Sequence, residues 1–469
     1  SLTLIANAQD AEQALTDAQA TNVEADADAT MADLPPSNVT LATGDSSNTE
    51  DYTLYLDGGD LFLSEVQADL AGRNVVIEAC AGSCSVDTVG NVYIDMLSGV
   101  QSLQVKAASN VTLNGAIEVS GNLSLTNLIL GASNISIAAS GLDIAGPITV
   151  ADSVMAAGGA SLAIRASDPG SSIRVGAPEP AVTVPPVAPT VSEPVVTAPV
   201  MNEPVVSAPT VTEPQAPVIS TPETTAPVTA QAATTPTTPS TTASATAPAK
   251  PELVISGQTL ESINNANLNS LTIGGAQQSG DITVAENLGS QGDLTVQTQG
   301  QVEIKASAEV VAASEVTVKG RDVSIAGAVT SNTANIDAQD RVRIAETATV
   351  QAQARIQTQT QTQTQTQTQT PGRVRITAKD IDTQGTISAQ GQVAGEVNLD
   401  ALNTVQIKGD ISVDSTQSRG GLITVEANAI DVQGSAKLTA TGKTGGGQIK
   451  IGGDWQGGPY LRQAQTVTV

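Results

Sequence analysis

Residues 302–344 read VEIKASAEVVAASEVTVKGRDVSIAGAVTSNTANIDAQDRVRI. Three tripeptides of alternating apolar and polar residues, VEI, VSI and VRI, begin at Val302, Val323 and Val342, so they recur after 21 and then 19 residues. Strands this short are not stable alone and must stack on copies of themselves. A period near 20 residues with two or three short strands in each period is typical of a β-solenoid.

The same triplet pattern occurs on both sides of a segment of different composition. Before it stand VYI, LQV, VTL, IEV, LSL, ISI, LDI and ITV, and after it LTV, VEI, VTV, VSI, VRI and VQI. Because the inward residues of one coil stack on those of the next, we predict an all-β chain of right-handed parallel β-helix (β-solenoid) segments. The two segments are expected at residues 56–176 and 253–469, after an acidic, largely disordered leader at residues 1–55.

Residues 177–252 divide the two predicted segments. They hold 17 of the 23 prolines and repeat a Glu-Pro unit every ten residues, at Glu193, Glu203 and Glu213. Proline fixes φ and lacks a backbone donor, so we expect neither helix nor sheet here. We predict a disordered, extended proline-rich linker that separates two rods as a stalk; recognition of its prolines by a partner is the alternative.

The charge balance limits the kinds of partner. The 20 Lys and Arg against 47 Asp and Glu give a net charge of −27, which argues against nucleic acid or an anionic membrane surface as partner. With one Trp, one Phe and four Tyr, the core must be built from Val, Ile, Leu and Ala. No apolar run reaches the roughly 18 residues of a transmembrane helix. The chain begins without Met or a signal peptide, so we expect a mature or excised piece.

The two cysteines, Cys80 and Cys84, stand close together in the stretch CAGSC. In an exported protein this spacing predicts a local disulfide. The alternative is a pair of free thiols buried at a turn.

A perfect Gln-Thr repeat occupies residues 357–370. The next VRI after Val342 begins at Val374, 32 residues later, and removal of the 14-residue run restores a spacing of 18. We therefore interpret the run as a disordered insertion looped out of one coil, with a tendency to β-aggregation. The alternative is an ice-binding threonine array, but such an array needs threonines stacked between coils at the 20-residue period, and the sequence pattern does not show it.

Several short motifs bear on whether the chain could carry out a chemical reaction. The chain has no His, which removes imidazole-based triads and acid–base pairs. TGKT (Thr441–Thr444) lacks a required glycine of the phosphate-binding loop, LDGGDLFL (Leu56–Leu63) is a single calcium-repeat-like stretch, and KGD (Lys408–Asp410) is interpreted as a turn. Asp380 and Asp382 are expected side by side on a solvated strand face. We therefore predict no catalytic residue, no metal site and no cofactor.

Three stretches resemble filamentous-haemagglutinin-like exoproteins of bacterial two-partner secretion. LFLSEVQADLAGRNVVIEA (Leu61–Ala79) is similar to their short helix followed by a strand, and VRITAKDIDTQGTISAQG (Val374–Gly391) has their strand and turn pattern. The most similar stretch is Gly420–Val469, where Gly445–Gly457 resembles the family's GGxVxIGGDxQG, with Ile449 at the Val position. The family's secretion domain is missing, so the chain either lacks it through processing or is an atypical member.

The resemblance implies export through an outer-membrane transporter of the two-partner system. We accordingly expect a secreted or cell-surface adhesin or structural fibre that binds a cell-surface or matrix receptor through repetitive solenoid faces and is not an enzyme. One alternative is a structural filament subunit that self-associates end to end through open solenoid edges. A second alternative is a carbohydrate-active β-helix enzyme.

Overall fold

The fold is taken from a computed structural model, which describes residues 39–41, 51–56, 59–78, 90–106, 108–177, 252–353, 355–361, 364–454 and 457–469. Before residue 178 the strands are β1 (Val39–Leu41), β2 (Asp51–Leu56), β3 (Leu61–Phe62), β4 (Asn74–Glu78), β5 (Val92–Val100), β6 (Ser102–Val105), β7 (Val111–Val119), β8 (Asn122–Leu130), β9 (Asn134–Ala139), β10 (Gly141–Val150), β11 (Ala160–Ala166) and β12 (Ile173–Val175). The helices of the described residues are α1 (Leu63–Leu70), α2 (Asp152–Ala156) and α3 (Gly257–Asn265).

The remaining strands follow residue 251. The first of these are β13 (Leu253–Ile255), β14 (Leu268–Gly274), β15 (Ile282–Val284), β16 (Leu288–Ser290), β17 (Asp293–Gln297), β18 (Gln301–Ile304), β19 (Glu309–Ala312), β20 (Glu315–Ile325), β21 (Ala328–Ser331), β22 (Thr333–Ile344) and β23 (Thr349–Ala352). The others are β24 (Arg355–Gln361), β25 (Thr364–Thr370), β26 (Arg373–Thr383), β27 (Thr386–Ser388), β28 (Glu396–Ile407), β29 (Asp410–Ser412), β30 (Leu422–Glu426), β31 (Ala429–Val432), β32 (Lys437–Thr439), β33 (Gln448–Ile451) and β34 (Thr466–Thr468).

Parallel pairing between successive repeats dominates this structure. The described strands form a 25-stranded sheet, a seven-stranded sheet and a separate two-stranded sheet. Within the two larger sheets every pairing is parallel except that of β1 with β2. The prediction of an all-β chain is confirmed in this form, as a repeat-like stack of parallel strands.

The predicted register of the opening stretch is confirmed. Val302 pairs with Val323, and Val323 pairs with Val342, in what we call the first ladder. These side chains are buried, whereas the next residue on each strand is partly exposed (Glu303, Ser324) or exposed (Arg343). Alternation places every second residue inward, and full burial of one Val or Ile contributes about 1.5–3 kcal/mol. A column of aliphatic side chains thus holds each repeat to the next.

The register predicted for Val374 is wrong. Val374 pairs with Ala334, in what we call the second ladder, while the residue that pairs with Val342 is Ile381. Both ladders run through the long strand β26, with an irregularity between them. The tripeptide VRI therefore occurs in two different ladders, and its recurrence does not measure one coil.

The expectation of two rods separated by the linker is also wrong. β13, which follows the linker, pairs in parallel with β12, which precedes it, and also with β10. β12 in turn pairs with β15. Strand order is therefore β10, β13, β12, β15, and residues 1–178 and 250–469 belong to one compact unit. Most of residues 177–252 lie outside the described residues.

Helix α3 strengthens the connection between the two stretches. The buried hydroxyl of Thr259 accepts a hydrogen bond of 2.8 Å from the amide of Ile144, and Ser262 donates one of 2.6 Å to the carbonyl of Gly146. Leu260 and Ile263 of the same helix are buried in the shared core. The core formed by the strands before the linker is thus completed by residues that follow the linker.

The predicted leader also contributes strands. β2 begins at Asp51, before the expected boundary at residue 56, and β1 pairs with it antiparallel, Val39 opposite Leu56. Leu54 and Leu56 are buried. The alternation of apolar and polar residues in β2 therefore explains why this strand joins the sheet. The rest of residues 1–50 lies outside the described residues.

The Gln-Thr run forms strands of its own. β24 and β25 pair antiparallel, from Arg355 opposite Thr370 to Gln361 opposite Thr364. The parallel ladders continue across this excursion, because β22 pairs with β26 and β23 pairs with β27. Twenty residues separate β23 from β26, where the preceding repeat has the single residue Asn332 between β21 and β22. The structure therefore replaces the expected disordered loop by a hairpin inserted at one corner.

If the linker is cut by a specific protease at a site engineered within residues 215–235, we expect the two fragments to remain associated. The reason is that β13 lies between β10 and β12 and shares their core. Size-exclusion chromatography and circular dichroism of the cut protein would measure this. The same cut in an Ile255→Asp variant should release the fragments, since Ile255 is fully buried; separation without that substitution would contradict the shared core.

Deletion of residues 354–372 should change the free energy of unfolding by less than about 1 kcal/mol, because long surface insertions contribute little to stability. Gln353 would then form a one-residue connection equivalent to Asn332. Denaturant unfolding of parent and deletion variant measures the difference. A larger loss would mean that the hairpin stabilises the stack.

Candidate functional site

A row of polar side chains runs along the outer side of the second ladder, and all of its members except Thr424, which is buried, are at least partly exposed. Its members occupy the same register position in successive strands from β14 to β33 and alternate with buried residues. We call them the polar row: Thr272, Thr295, Thr317, Asn335, Arg375, Asn398, Thr424 and Lys450. At about 4.8 Å between strands, the eight positions extend over roughly 34 Å.

Three threonines begin the polar row. Thr272 pairs with Thr295, and Thr295 pairs with Thr317. The expectation that no threonines stack at the coil period is wrong, because the triplets LTI, LTV and VTV place their threonines in register. Three stacked hydroxyls, followed by amide and cationic side chains, form a hydrogen-bonding surface, not a uniform threonine array.

Neighbouring acids hold the side chains of the row in place. Glu315 Oε1 accepts hydrogen bonds from Thr317 Oγ1 and from Asn335 Nδ2, both of 2.9 Å. At the edge of the same face, Arg373 Nε lies 3.2 Å from Glu396 Oε2. Such contacts reduce the side-chain freedom that a bound surface would otherwise have to restrict.

The segment between β33 and β34 returns to this face at its far end. Arg462 Nη2 donates to Asp400 Oδ1 at 2.6 Å and to the carbonyl of Ala401 at 2.7 Å. Its own amide donates to Glu426 Oε2 at 2.9 Å. Arg462 therefore fixes this segment against the acids that flank the polar row, while Tyr460 in it is 86% exposed.

A groove beside the polar row has a floor of glycine backbone. Gly372, Gly395, Gly421 and Gly447 stand in a column, and a Cβ on each of the last three would lie 2.0–2.1 Å from the carbonyl oxygen of the glycine before it. Only glycine permits this close approach. The carbonyl oxygens of Gly372, Gly395 and Gly421 accept hydrogen bonds from the backbone amides of Glu396, Leu422 and Gln448, respectively. Arg373 and Arg419 are among the residues that line the groove.

The loops that follow the seven-stranded sheet are joined by Asp414. One oxygen accepts from the amide and hydroxyl of Thr441, and the other from the hydroxyls of Ser412 and Thr439, at 2.7 and 2.8 Å. Partial burial alone would raise the pKa of Asp414, but these hydrogen bonds outweigh it and lower the pKa to about 2. The carboxylate is thus an ionised structural acceptor, not a proton donor near neutral pH.

Asp380 and Asp382 lie on the outer side of β26, as the alternation predicts. Asp380 accepts a 2.6 Å hydrogen bond from Thr404, and Asp382 accepts one of 3.1 Å from Gln384. The nearest cation to Asp382 is Lys408 Nζ, at 4.0 Å. These contacts serve the first ladder and do not place the two carboxylates on opposite sides of a shared groove.

The other motifs have structural positions. Lys408–Asp410 turns between β28 and β29, where a Cβ on Gly409 would lie 1.9 Å from the carbonyl oxygen of Gly385. Thr441–Thr444 connects β32 to β33, and Asp60 of the calcium-repeat-like stretch accepts two hydrogen bonds from Asn91. Within the described ranges, no three Asp, Glu, Cys or His side chains lie close enough to hold a metal ion. The predicted disulfide of residues 80 and 84 lies outside the described residues.

Neither the polar row nor the glycine column was found from the sequence. Both depend on which ladder each short strand joins, and only the pairing register in the structure shows which ladder that is. No family model, no curated protein and no solved structure matches this chain. None of the described helices combines the length and the apolar character needed to cross a membrane.

Replacement of Asp414 by Asn should destabilise the protein by about 2 kcal/mol at neutral pH, because hydrogen bonds to a charged acceptor are lost. The pKa of Asp414 is lowered on folding, so its contribution is complete above the unfolded value near 3.8 and disappears as the pH falls toward about 2. The difference between parent and variant should therefore shrink between pH 5 and pH 2. Asp410→Asn is the control, since Asp410 is an exposed acid four residues before Asp414. Its free energy of unfolding should differ little from that of the parent.

Proposed function

We propose that this protein is a secreted or bacterial cell-surface fibre of the filamentous-haemagglutinin type, a right-handed parallel β-helix that adheres through its repetitive faces and does not catalyse a reaction. Export through an outer-membrane two-partner-secretion transporter and recognition of a cell-surface or matrix receptor are parts of the same proposal. It rests on the resemblance of Leu61–Ala79, Val374–Gly391 and Gly420–Val469 to that family.

The polar row is the single observation that best supports an adhesive role. From Thr272 to Lys450 it offers hydrogen-bonding side chains about 4.8 Å apart, with one interruption at the buried Thr424. A surface of this kind favours many weak contacts with an extended partner, whose combined affinity exceeds that of each contact. A deep, enclosed pocket would favour a small substrate instead.

Two features weigh against the alternatives. For an enzyme, Asp380 and Asp382 have hydroxyl and amide partners on an open strand face and no general base or aromatic sugar platform beside them. For a filament assembled end to end, the first strands present an obstacle, because β1 covers the free edge of β2 and α1 packs on β5. A filament joined at its ends would have to displace them.

The proposal is tested by binding of the purified protein to surfaces coated with collagen, fibronectin or whole bacterial cells. Thr295→Glu places a charge in the middle of the polar row and should weaken binding at least about tenfold, or about 1.4 kcal/mol. Thr283→Glu is the matched control, since Thr283 has the same partly exposed, outward position on the first ladder between buried Ile282 and Val284. It should leave binding unchanged.

Three results would contradict this proposal. The first is a parent protein that binds no coated surface, and the second is an equal loss in the Thr283→Glu control. The third is turnover of a polysaccharide that disappears in Asp380→Asn or Asp382→Asn, which would support the enzyme instead.

A further inference from the structure

The hairpin β24–β25 has two strand edges that pair with no other strand of the described chain. Its seven residue pairs form a two-stranded sheet separate from the two parallel ones. At about 3.4 Å per residue each strand is roughly 24 Å long. A two-stranded sheet of this size is marginally stable in water, and a third or fourth strand would stabilise it.

The base of the hairpin is fixed to the parallel stack through Asn332. Its side-chain amide donates to the carbonyl of Gln353 at 2.8 Å, and its backbone carbonyl accepts from the amide of Arg373 at 3.0 Å. The amide of Gln353 also donates to the carbonyl of Ser331, at 2.7 Å. The hairpin is therefore attached at a defined position on the parallel stack.

The sequence of the hairpin carries none of the usual protection of a sheet edge. Natural edges are protected by Lys or other charges, by Pro or by bulges. Residues 357–370 contain only Gln and Thr, and the charged residue Arg355 and the proline Pro371 stand at the two ends. In a chain with a net charge of −27, this run is a neutral stretch with β-forming Thr at every second position.

The repeat is also complementary to itself. In the five pairs from Gln357 opposite Thr368 to Gln361 opposite Thr364, each Gln is opposite a Thr. A shift of a second strand by two residues restores the same set of pairs, so that another copy can pair in several equivalent registers. This degeneracy favours association between copies statistically, whereas a unique sequence would allow one register.

We propose that the free edges of this hairpin pair with the hairpin of a second copy of the chain, so that the molecules are joined side by side through an intermolecular β-sheet. This contact differs from end-to-end stacking of solenoids and does not rest on the adhesive role. Chains of the same net charge repel one another, over about 30 Å at 0.01 M salt but only about 8 Å at 0.15 M. A hairpin of roughly 24 Å can therefore connect two bodies at physiological salt, and low salt opposes the connection.

Sedimentation velocity of the full chain over a wide concentration range, at 0.15 M and 0.01 M salt, tests this inference. The parent should self-associate at the higher salt and dissociate at the lower. Gln359→Lys with Thr366→Lys places two charges on a cross-strand pair without changing the length, and should weaken self-association at least about tenfold. Deletion of residues 354–372 should abolish it.

A matched control keeps the added charge but moves it away from the hairpin. Thr283→Lys with Ser324→Lys adds the same two cations at partly exposed, outward positions of the first ladder and should associate like the parent. Hydrogen exchange adds a local readout, since amides of 355–361 and 364–370 should become protected on association. A parent that stays monomeric at all concentrations, or a deletion variant that associates like the parent, would overturn the inference.

Discussion

Parallel backbone pairing between successive repeats is the constraint on which this structure depends. The strands are two to twelve residues long, and each is held because the repeats before and after it supply its hydrogen bonds. The same pairing places like residues above one another, so that Ile304, Ile325 and Ile344 form one buried column. Inward positions are therefore mostly aliphatic, although the buried Thr383 continues this column between Ile344 and Ile407. Outward positions and corners vary more.

The inward alternation was predictable because it is visible within each triplet, and the period was predictable because it is the spacing between successive triplets. The ladder to which a triplet belongs was not, since VRI at Val342 lies in the first ladder and VRI at Val374 in the second. The same limitation concealed the order of strands at the linker. Nothing in the spacing near Leu253 signals that it should lie against Ile173, because that contact is between residues about eighty positions apart in sequence and is decided by packing alone.

For the candidate site, too, local features could be predicted from the sequence and the register between strands could not. Its residue types are visible in the sequence, but the polar row exists only after Thr272, Thr295 and Thr317 are placed on one ladder. The glycine column is hidden for another reason: glycine normally signals a turn, whereas Gly395 and Gly421 are required by carbonyl oxygens of the neighbouring repeat. Close backbone approach between repeats leaves no trace in a local pattern.

The corners carry the long excursions because the cost of an excursion there is small compared with what the stack supplies. Each doubling of loop length costs about 0.6 kcal/mol, so a linker of 76 residues costs on the order of 3 kcal/mol more than a corner of two. Burial of Leu253 and Ile255 of β13 contributes a similar amount or more, at about 1.5–3 kcal/mol for each side chain. A repeat that gains its stability from its neighbours can therefore hold the linker at one corner and the Gln-Thr hairpin at another. Either excursion can then vary in length, because neither changes the inward columns that hold the stack together.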